Sequence, residues 1–150
     1  MSGPNISPRK ECAPVSLIDL YPTILDIADV ERVSGEAIHA RSLFETLKRP
    51  DKDRLILSEF HDYGAQTGMF MLRHENWKLI HYPGFEPQLF NLEKDPAEEE
   101  NLAKDKEHIH KLEELSNLLK VILDPDEINK LAFCDQEDII RELGGREEIL

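Results

Sequence analysis

The first regular pattern of apolar and polar positions runs from residue 15 to residue 28. Its apolar residues recur at steps of three and four, which predicts one face of an amphipathic helix; they are Leu17, Leu20, Tyr21, Ile24 and Ala28. The opposite, polar face carries Ser16, Asp19, Thr23 and Asp26. Ser16 can cap the first turn, with Asp19 near the positive end of the helix dipole. Pro22 lacks an N–H, so it predicts a bend or a regular part confined to the residues after it.

Short apolar and alternating runs in the middle of the chain predict β-strands. After a short helical turn, they cover residues 54–60, 68–73, 77–82 and 89–92. The three residues between the second and third strands, 74–76, predict a hairpin turn in which Asn76 takes the left-handed conformation. Asp95 and Pro96 predict the start of a further helical turn, with proline at its first position.

The last third of the chain returns to helical spacing. An apolar stripe over residues 109–122 predicts one helix, and a second helix is predicted to begin at Pro125. A third helical stretch, 137–143, precedes Gly144 and Gly145, which suit a helix C-terminus. This order predicts an α+β fold, with a small antiparallel sheet of three or four strands, packing helices and a helical C-terminal tail.

Composition narrows the classes of function. The chain has 150 residues, enough for one domain of ordinary size, and a formal net charge of −13. Because such a charge repels phosphate, we expect neither nucleic acid nor an anionic membrane as a partner. The longest apolar runs have only four residues, far short of the roughly 20 that a membrane span needs.

The cysteines give little chemistry. Cys12 and Cys134 are too distant for a local zinc motif and too few for a disulfide framework. With no apolar signal segment at the N-terminus, we expect reduced thiols in a cytoplasmic protein. Residues 12–16 approach a Cys-x-Pro-Ser motif, but Val15 displaces the serine and no arginine follows. We therefore expect no nucleophile there.

Glu59 and His61 are the candidate site residues. They lie two apart at the end of a predicted strand, before a loop that contains Gly64, so both side chains point to the same face. Such a pair can recognise a cation, accept a proton or hold a loop. The other five histidines are interpreted as structural. No phosphate-binding glycine loop or cluster with metal-ligand spacing occurs, so we expect no self-sufficient active site.

Two stretches carry a family resemblance. Residues 15–26 form a proline-containing helix, and residues 88–98 read Gln-Leu-Phe-Asn-Leu-Glu-Lys-Asp-Pro-Ala-Glu, followed by Asn-Leu-Ala at 101–103. Both resemble the C-terminal portion of type I sulfatases, in the alkaline phosphatase superfamily. Within that family, Ser-Glu-Phe-His at 58–61 is similar to the Ser-Glu-Tyr-His of choline sulfatases. The tail from 124 to 147 is also similar to an extension that those enzymes use in oligomer contacts.

The resemblance implies a sulfate ester hydrolase. In that family, a formylglycine made within a Cys/Ser-x-Pro-Ser-Arg motif attacks sulfur, and a divalent metal, calcium or manganese, offsets charge on the sulfate. Both belong to the N-terminal half, so the resemblance implies no catalytic residue, metal ligand or cofactor in this chain, which we expect to be inert alone. It places Glu59 opposite the quaternary ammonium of choline, with His61 lining the same pocket.

The resemblance also divides the chain. It implies a flexible lead-in at 1–13, a remnant of the catalytic layer at 14–60, the sulfatase C-terminal subdomain at 61–123, and a helical tail for oligomer contacts at 124–150. Expected partners are a small sulfate ester and either further copies of this chain or an N-terminal sulfatase half. Two alternatives remain open: a phosphonate or phosphodiester hydrolase of the same superfamily, or a non-catalytic interaction module that reuses this fold.

Without the catalytic layer, part of the apolar surface is predicted to face water. The side chains concerned are Leu17, Ile24, Leu55 and Leu57. The strand at 54–60 would also have an unpaired edge. We therefore expect the chain to self-associate in spite of its charge.

Overall fold

A computed structural model describes most of the chain. The described residues are 6–7, 9–31, 39–62 and 64–145. The fold divides into two compact units, Met1–Ile56 and Leu57–Leu150, with the boundary at the start of the first strand.

The elements follow the predicted order. They are a 3₁₀ turn at Leu17–Asp19, α1 (Leu20–Ala28), α2 (Leu43–Lys48), β1 (Ile56–Phe60), β2 (Met69–His74), β3 (Trp77–His81), β4 (Gln88–Asn91), a 3₁₀ turn at Leu102–Lys104, α3 (Ile109–Ile122) and α4 (Pro125–Glu142). The four strands form one antiparallel sheet in the order β1-β2-β3-β4. The predicted α+β fold with a small antiparallel sheet is therefore confirmed.

A row of leucines across three strands forms the centre of the second unit. Leu72 on β2 pairs with Leu79 on β3, which in turn pairs with Leu89 on β4. All three are fully buried, together with Phe70, because alternate residues of a strand share one face. Leu115 and Leu119 of α3 complete this core. Burying each leucine contributes about 1.5–3 kcal/mol, so this row is the main source of stability in the unit.

The β2–β3 hairpin turn differs from the prediction. His74 already pairs with Trp77, so only Glu75 and Asn76 connect the strands. Glu75, with φ of 52°, takes the left-handed conformation that was predicted for Asn76. Asn76 instead accepts the N–H of Leu92 on its carbonyl oxygen at 2.7 Å, which ties the turn to the end of β4.

The stretch after β4 is a series of turns held by side-chain oxygens. Asn91 Oδ1 accepts the N–H groups of Glu93 and Lys94 at 3.2 and 3.3 Å, and Asp95 Oδ2 accepts that of Glu100 at 2.9 Å. The helical turn predicted at Asp95 and Pro96 is a single turn, in which Glu98 donates its N–H to Asp95 O at 3.2 Å, and it does not continue as a helix because Glu98 has φ of 57°. Asn101 Oδ1 then accepts the N–H of Leu89 at 3.0 Å and fixes the stretch against β4.

The C-terminal tail is one helix instead of the predicted two. Asp124 caps α4 by accepting the N–H groups of Asp126 and Glu127 at 3.0 and 3.2 Å. No proline or glycine interrupts residues 126–142, so the helix continues to Glu142. The predicted glycine C-terminus is confirmed, since Gly145 has φ of 98° and donates its N–H to Ile140 O at 2.9 Å. In the described part of the chain, no helix has the length and apolar character needed to cross a membrane.

Helix α1 of the first unit has its faces reversed relative to the usual amphipathic pattern. Asp19 and Thr23, on the polar face, are buried, whereas Leu17 and Ile24 are 84% and 60% exposed. Pro22 does not interrupt α1, because it lies in the first turn, where N–H groups have no partner in the helix.

A carboxylate explains this reversal. Each oxygen of Asp19 accepts one guanidinium N–H of Arg54 and one backbone N–H. Oδ1 binds Arg54 Nη2 and the Arg41 N–H, both at 2.8 Å, and Oδ2 binds Arg54 Nη1 at 2.7 Å and the Ser16 N–H at 2.9 Å. Thr23 donates its hydroxyl to Asp19 O at 2.6 Å and accepts the Leu43 N–H at 2.9 Å. The first unit is therefore organised around hydrogen bonds.

The expected apolar exposure is mostly confirmed. Leu17 and Ile24 face outward, and Leu55 is 38% exposed. Leu57 is the exception, because it packs against the leucine core of the second unit. β1 is an edge strand of the sheet, as expected.

Candidate functional site

Glu59 and His61 lie on the same face at the end of β1, as their spacing predicted. Glu59 Oε2 and His61 Nε2 are 3.5 Å apart, an ion pair whenever the imidazole is protonated. The two side chains are 34% and 21% exposed, so a group approaching from solvent can reach the carboxylate. β1 supplies this placement, because residues two apart on a strand share a face.

The imidazole of His61 is held by packing on its flanks. Its ring meets Phe70 of β2 edge to face, with centroids 5.2 Å apart and planes at 77°. Nε2 is buried and, among the described residues, has no hydrogen-bond partner. A buried nitrogen of this kind leaves hydrogen-bonding capacity unused, which costs about 1–3 kcal/mol. The ring is therefore held mainly by packing against Phe70, with Nε2 buried 3.5 Å from Glu59 Oε2.

The loop after β1 passes close to the His61 ring at Gly68. A Cβ added there would lie 2.6 Å from His61 Cε1 and 2.7 Å from Nδ1, closer than a side chain tolerates. Gly68 donates its N–H to Asn129 Oδ1 on α4 at 2.6 Å. The neighbouring Thr67 donates its hydroxyl to Pro83 O at 2.9 Å. Two separate segments, α4 and the stretch after β3, therefore fix the loop next to His61.

This arrangement suits recognition more than bond cleavage. A half-exposed carboxylate can pair with a cation or accept a hydroxyl proton in a hydrogen bond, and the adjacent imidazole can donate or accept one more. Glu59 and His61 can therefore orient a substrate through hydrogen bonds or charge.

The remaining described histidines have local roles. His108 Nδ1 lies 2.8 Å from Asp105 Oδ2, and its ring packs on Trp77 with centroids 5.5 Å apart. Burial lowers the pKa of His81, with the charge of Asp126 opposing that shift and the charge of Lys120 reinforcing it.

Cys12 and Cys134 are both exposed free thiols.

The described residues do not form a site for the divalent metal that the resemblance implies. In residues 6–7, 9–31, 39–62 and 64–145, no group of three His, Cys, Asp or Glu side chains is arranged to hold an ion. Asp19, a buried carboxylate of the kind that metals bind, is already occupied by Arg54. Burial alone would raise the pKa of Asp19, but the hydrogen bonds from Arg54, Arg41 and Ser16 hold it below its ordinary value.

Sequence reasoning missed the residues that support His61. Gly68 was placed at the start of a strand, and Asn129 on a helix without any stated role. The two are 61 positions apart, and no periodicity links them. A glycine directly before an apolar strand was the only available signal that another group approaches the backbone closely.

Comparisons with known proteins agree on one family. Residues 4–138 match the family described as N-sulphoglucosamine sulphohydrolase, C-terminal. Arylsulfatase K of Danio rerio is 36% identical over 138 residues, covering 85% of this chain and 26% of that protein. Arylsulfatase K of Homo sapiens is 36% identical over 150 residues, covering 89% and 28%. The chain therefore spans about a quarter of the length of the curated relatives it matches.

Solved structures show the same likeness. A 2-O GAG sulfatase is 33% identical with a TM-score of 0.57, over 69% of this chain and 23% of that one. A protein solved with its substrate D-glucosamine-2-N,6-O-disulfate is 29% identical with a TM-score of 0.58, over 73% and 25%. The phosphonate monoester hydrolase of Agrobacterium radiobacter, 22% identical with a TM-score of 0.51 over 69% and 23%, shares the fold. The chain belongs to the sulfatases of the alkaline phosphatase superfamily, as a C-terminal sulfatase domain, which confirms the resemblance seen in the sequence.

Proposed function

We propose that this chain is the C-terminal part of a sulfate ester hydrolase and that Glu59 and His61 form one wall of its substrate pocket. The observation that carries the proposal is the pair itself, a reachable carboxylate 3.5 Å from an imidazole nitrogen at the end of β1, within a sulfatase domain. The sulfatase family uses a metal and a formylglycine. Because the described residues fit neither, the bond-breaking chemistry is assigned to the rest of the enzyme.

A choline ester is one substrate that the pair suits. Its quaternary ammonium offers no N–H, so recognition depends on charge and on aromatic faces. The charge of Glu59 supports the choline-sulfatase hypothesis drawn from residues 58–61. Phe60, the next residue of β1, points to the other face of the strand, so the aromatic face has to come from another residue.

A sulfated sugar is the second candidate, and the relatives favour it. One structural neighbour is described as a 2-O GAG sulfatase, and another was solved with a disulfated glucosamine as its substrate. A carboxylate beside an imidazole can bind two neighbouring hydroxyls of a sugar ring, because one group accepts and the other donates. In this proposal Glu59 orients the ring through hydrogen bonds and not through charge.

The experiment uses the longer sulfatase that contains this chain and compares Glu59→Gln with wild type. Choline sulfate, D-glucosamine-2-N,6-O-disulfate and 4-nitrophenyl sulfate serve as substrates. For a pocket wall, KM rises for the preferred natural substrate and stays unchanged for 4-nitrophenyl sulfate, which lacks both a cation and hydroxyls. Glu107→Gln, at an exposed position before α3, is the matched control. Equal kinetics of Glu59→Gln and wild type on all three substrates would refute the assignment.

The partners follow from the exposed apolar faces. We assign the outward face of α1, with Leu17 and Ile24, to contact with the remainder of the sulfatase. We assign the tail at 124–150, where Ile139 and Leu143 are 56% and 60% exposed on α4 and just beyond it, to contact between subunits. If the chain were instead a stand-alone interaction module, it would capture an unrelated partner and no sulfatase portion in a pull-down.

A further inference from the structure

Helix α4 contacts the loop next to His61, and its hydrogen bonds to that loop involve Asn129. Asn129, on its first half, accepts the Gly68 N–H on Oδ1 at 2.6 Å and lies 3.4 Å from the Thr67 hydroxyl. Further along the same helix, Ala132 and Phe133 line a small recess together with His61. The helix therefore contacts the loop next to His61 at more than one point.

Gly68 links its hydrogen bond to Asn129 with the position of the His61 ring. The space that its missing Cβ leaves is filled by the His61 ring, whose Cε1 would lie 2.6 Å from such an atom. The ring also meets Phe70 edge to face. The ring therefore packs against both the Gly68 backbone and Phe70, and Asn129 holds that backbone through a hydrogen bond at 2.6 Å.

We propose that Asn129 and Gly68 are positioning residues for His61. They set the distance between its Nε2 and the Glu59 carboxylate, and they make α4 part of the support of the pocket. This inference rests on the proposed role of Glu59 and His61 in binding substrate. It adds that the tail helix acts on that pair through a hydrogen bond to a loop backbone.

Because Nε2 has no hydrogen bond in the part of the chain that the structure describes, the orientation of the His61 ring depends on the residues that pack against it. A strong hydrogen bond at a ring nitrogen restricts the orientation of a histidine, because the bond weakens steeply when its angle departs from linear. His61 Nε2 has no such bond within the described residues. Its orientation is therefore sensitive to displacement of Gly68. Substitution of Asn129, which holds Gly68, is predicted to change the orientation of the His61 ring.

The test observes His61 directly by NMR in the full 150-residue chain with ¹³C-labelled histidine, assigned with His61→Gln. In wild type, the ring current of Phe70 displaces the His61 ring signals from those of His110, whose side chain is 92% exposed. Asn129→Ala and Gly68→Ala are expected to move the His61 signals towards those of His110. Asn129→Asp keeps the acceptor oxygen and is expected to retain the wild-type position.

Controls separate positioning from loss of fold. Asn117→Ala, at an exposed position on α3, is expected to leave the His61 signals in place, and the Trp77 indole signal reports an intact core in every variant. If Asn129→Ala unfolds the chain, Gly68→Ala decides alone. Unchanged His61 signals in a folded Gly68→Ala or Asn129→Ala variant would overturn the proposal. Because no substrate is present, this outcome is independent of whether Glu59 and His61 bind one.

Discussion

Replacing Asp19 by asparagine tests how the first unit is held together. The change removes one charge and alters no volume, so it leaves the packing of α1 in place. It acts on a carboxylate that is fully buried and opposite Arg54, whose side chain is only 13% exposed. The expected result is a large local loss of stability, although the residue lies on the polar face of its helix.

The magnitude follows from how the four hydrogen bonds are shared. Each Asp19 oxygen accepts one guanidinium N–H and one backbone N–H, so an amide in either orientation directs its NH₂ at two donors. In place of its buried carboxylate partner, Arg54 then keeps only the amide oxygen, a 3.4 Å contact with His39 O and the weaker charge effect of Asp51. Breaking a buried ion pair from one side costs about 3–5 kcal/mol. This is a large fraction of the total stability of an ordinary domain.

The assay is hydrogen exchange followed by mass spectrometry on peptides that cover α1 and α2. The free energy of local opening is expected to fall by about 3–5 kcal/mol in Asp19→Asn. Asp26→Asn, at an exposed position on the same helix, is the matched control, with an expected change within about 0.5 kcal/mol. Protection of α1 that is equal in Asp19→Asn and wild type would refute the account of this unit.

The pH dependence adds a second check. The folded pKa of Asp19 lies below its ordinary value of 3.8, so the unfolded chain binds the proton more tightly. The contribution of this carboxylate to stability is therefore present above pH 3.8 and is lost as the pH falls through the folded pKa. The difference between Asp19→Asn and wild type should shrink in that acid range, and a constant difference down to full protonation would contradict the reasoning.

Three further predictions concern the core, the buried histidine and the exposed surface. Leu79→Ala should lower the free energy of unfolding by about 2–5 kcal/mol in urea titrations followed by Trp77 fluorescence, whereas Val121→Ala, at a position 85% exposed, should stay within about 0.5 kcal/mol. His81 has a folded pKa below its ordinary value of 6.5, so stability should fall as the pH drops below 6.5, and His81→Gln should flatten that slope. The chain should self-associate in light scattering across a concentration series, and Leu17→Ser with Ile24→Ser should reduce association; a wild-type monomer at every concentration would refute this.

The sheet could be predicted because its signals are local. Strands β2 and β3 follow from two apolar runs separated by a short polar stretch, and the Leu72–Leu79–Leu89 row needs only alternation plus that hairpin. The turn residue was predicted wrongly, since Asn76 is the usual choice for a left-handed position and Glu75 occupies it here. Propensity ranks residue types, but pairing of His74 with Trp77 decides which of them lies in the turn.

The buried face of α1 and the length of α4 could not be derived from local patterns, for different physical reasons. Periodicity shows that α1 has two faces, but it does not say which one is buried, because that depends on Arg54, 35 positions away from Asp19. For α4, the sequence predicted a separate helical stretch at 137–143, but neither proline nor glycine interrupts residues 126–142, so one helix continues to Glu142.

The Glu59–His61 pair could be predicted from the sequence, whereas the contacts of Gly68 and Asn129 that hold His61 could not. Strand geometry predicted that Glu59 and His61 share a face, and their 3.5 Å separation agrees with it. The contact of Asn129 with Gly68 joins a helix to a loop 61 positions earlier. Such a contact depends on how α4 packs, which no local pattern encodes.

The most direct test of the central claim is a turnover measurement on the purified chain and on the longer sulfatase that contains it. Release of sulfate from 4-nitrophenyl sulfate, choline sulfate and D-glucosamine-2-N,6-O-disulfate is followed with calcium or manganese present. The account predicts hydrolysis by the longer protein and none above buffer by residues 1–150 alone. Turnover by the isolated chain would contradict it.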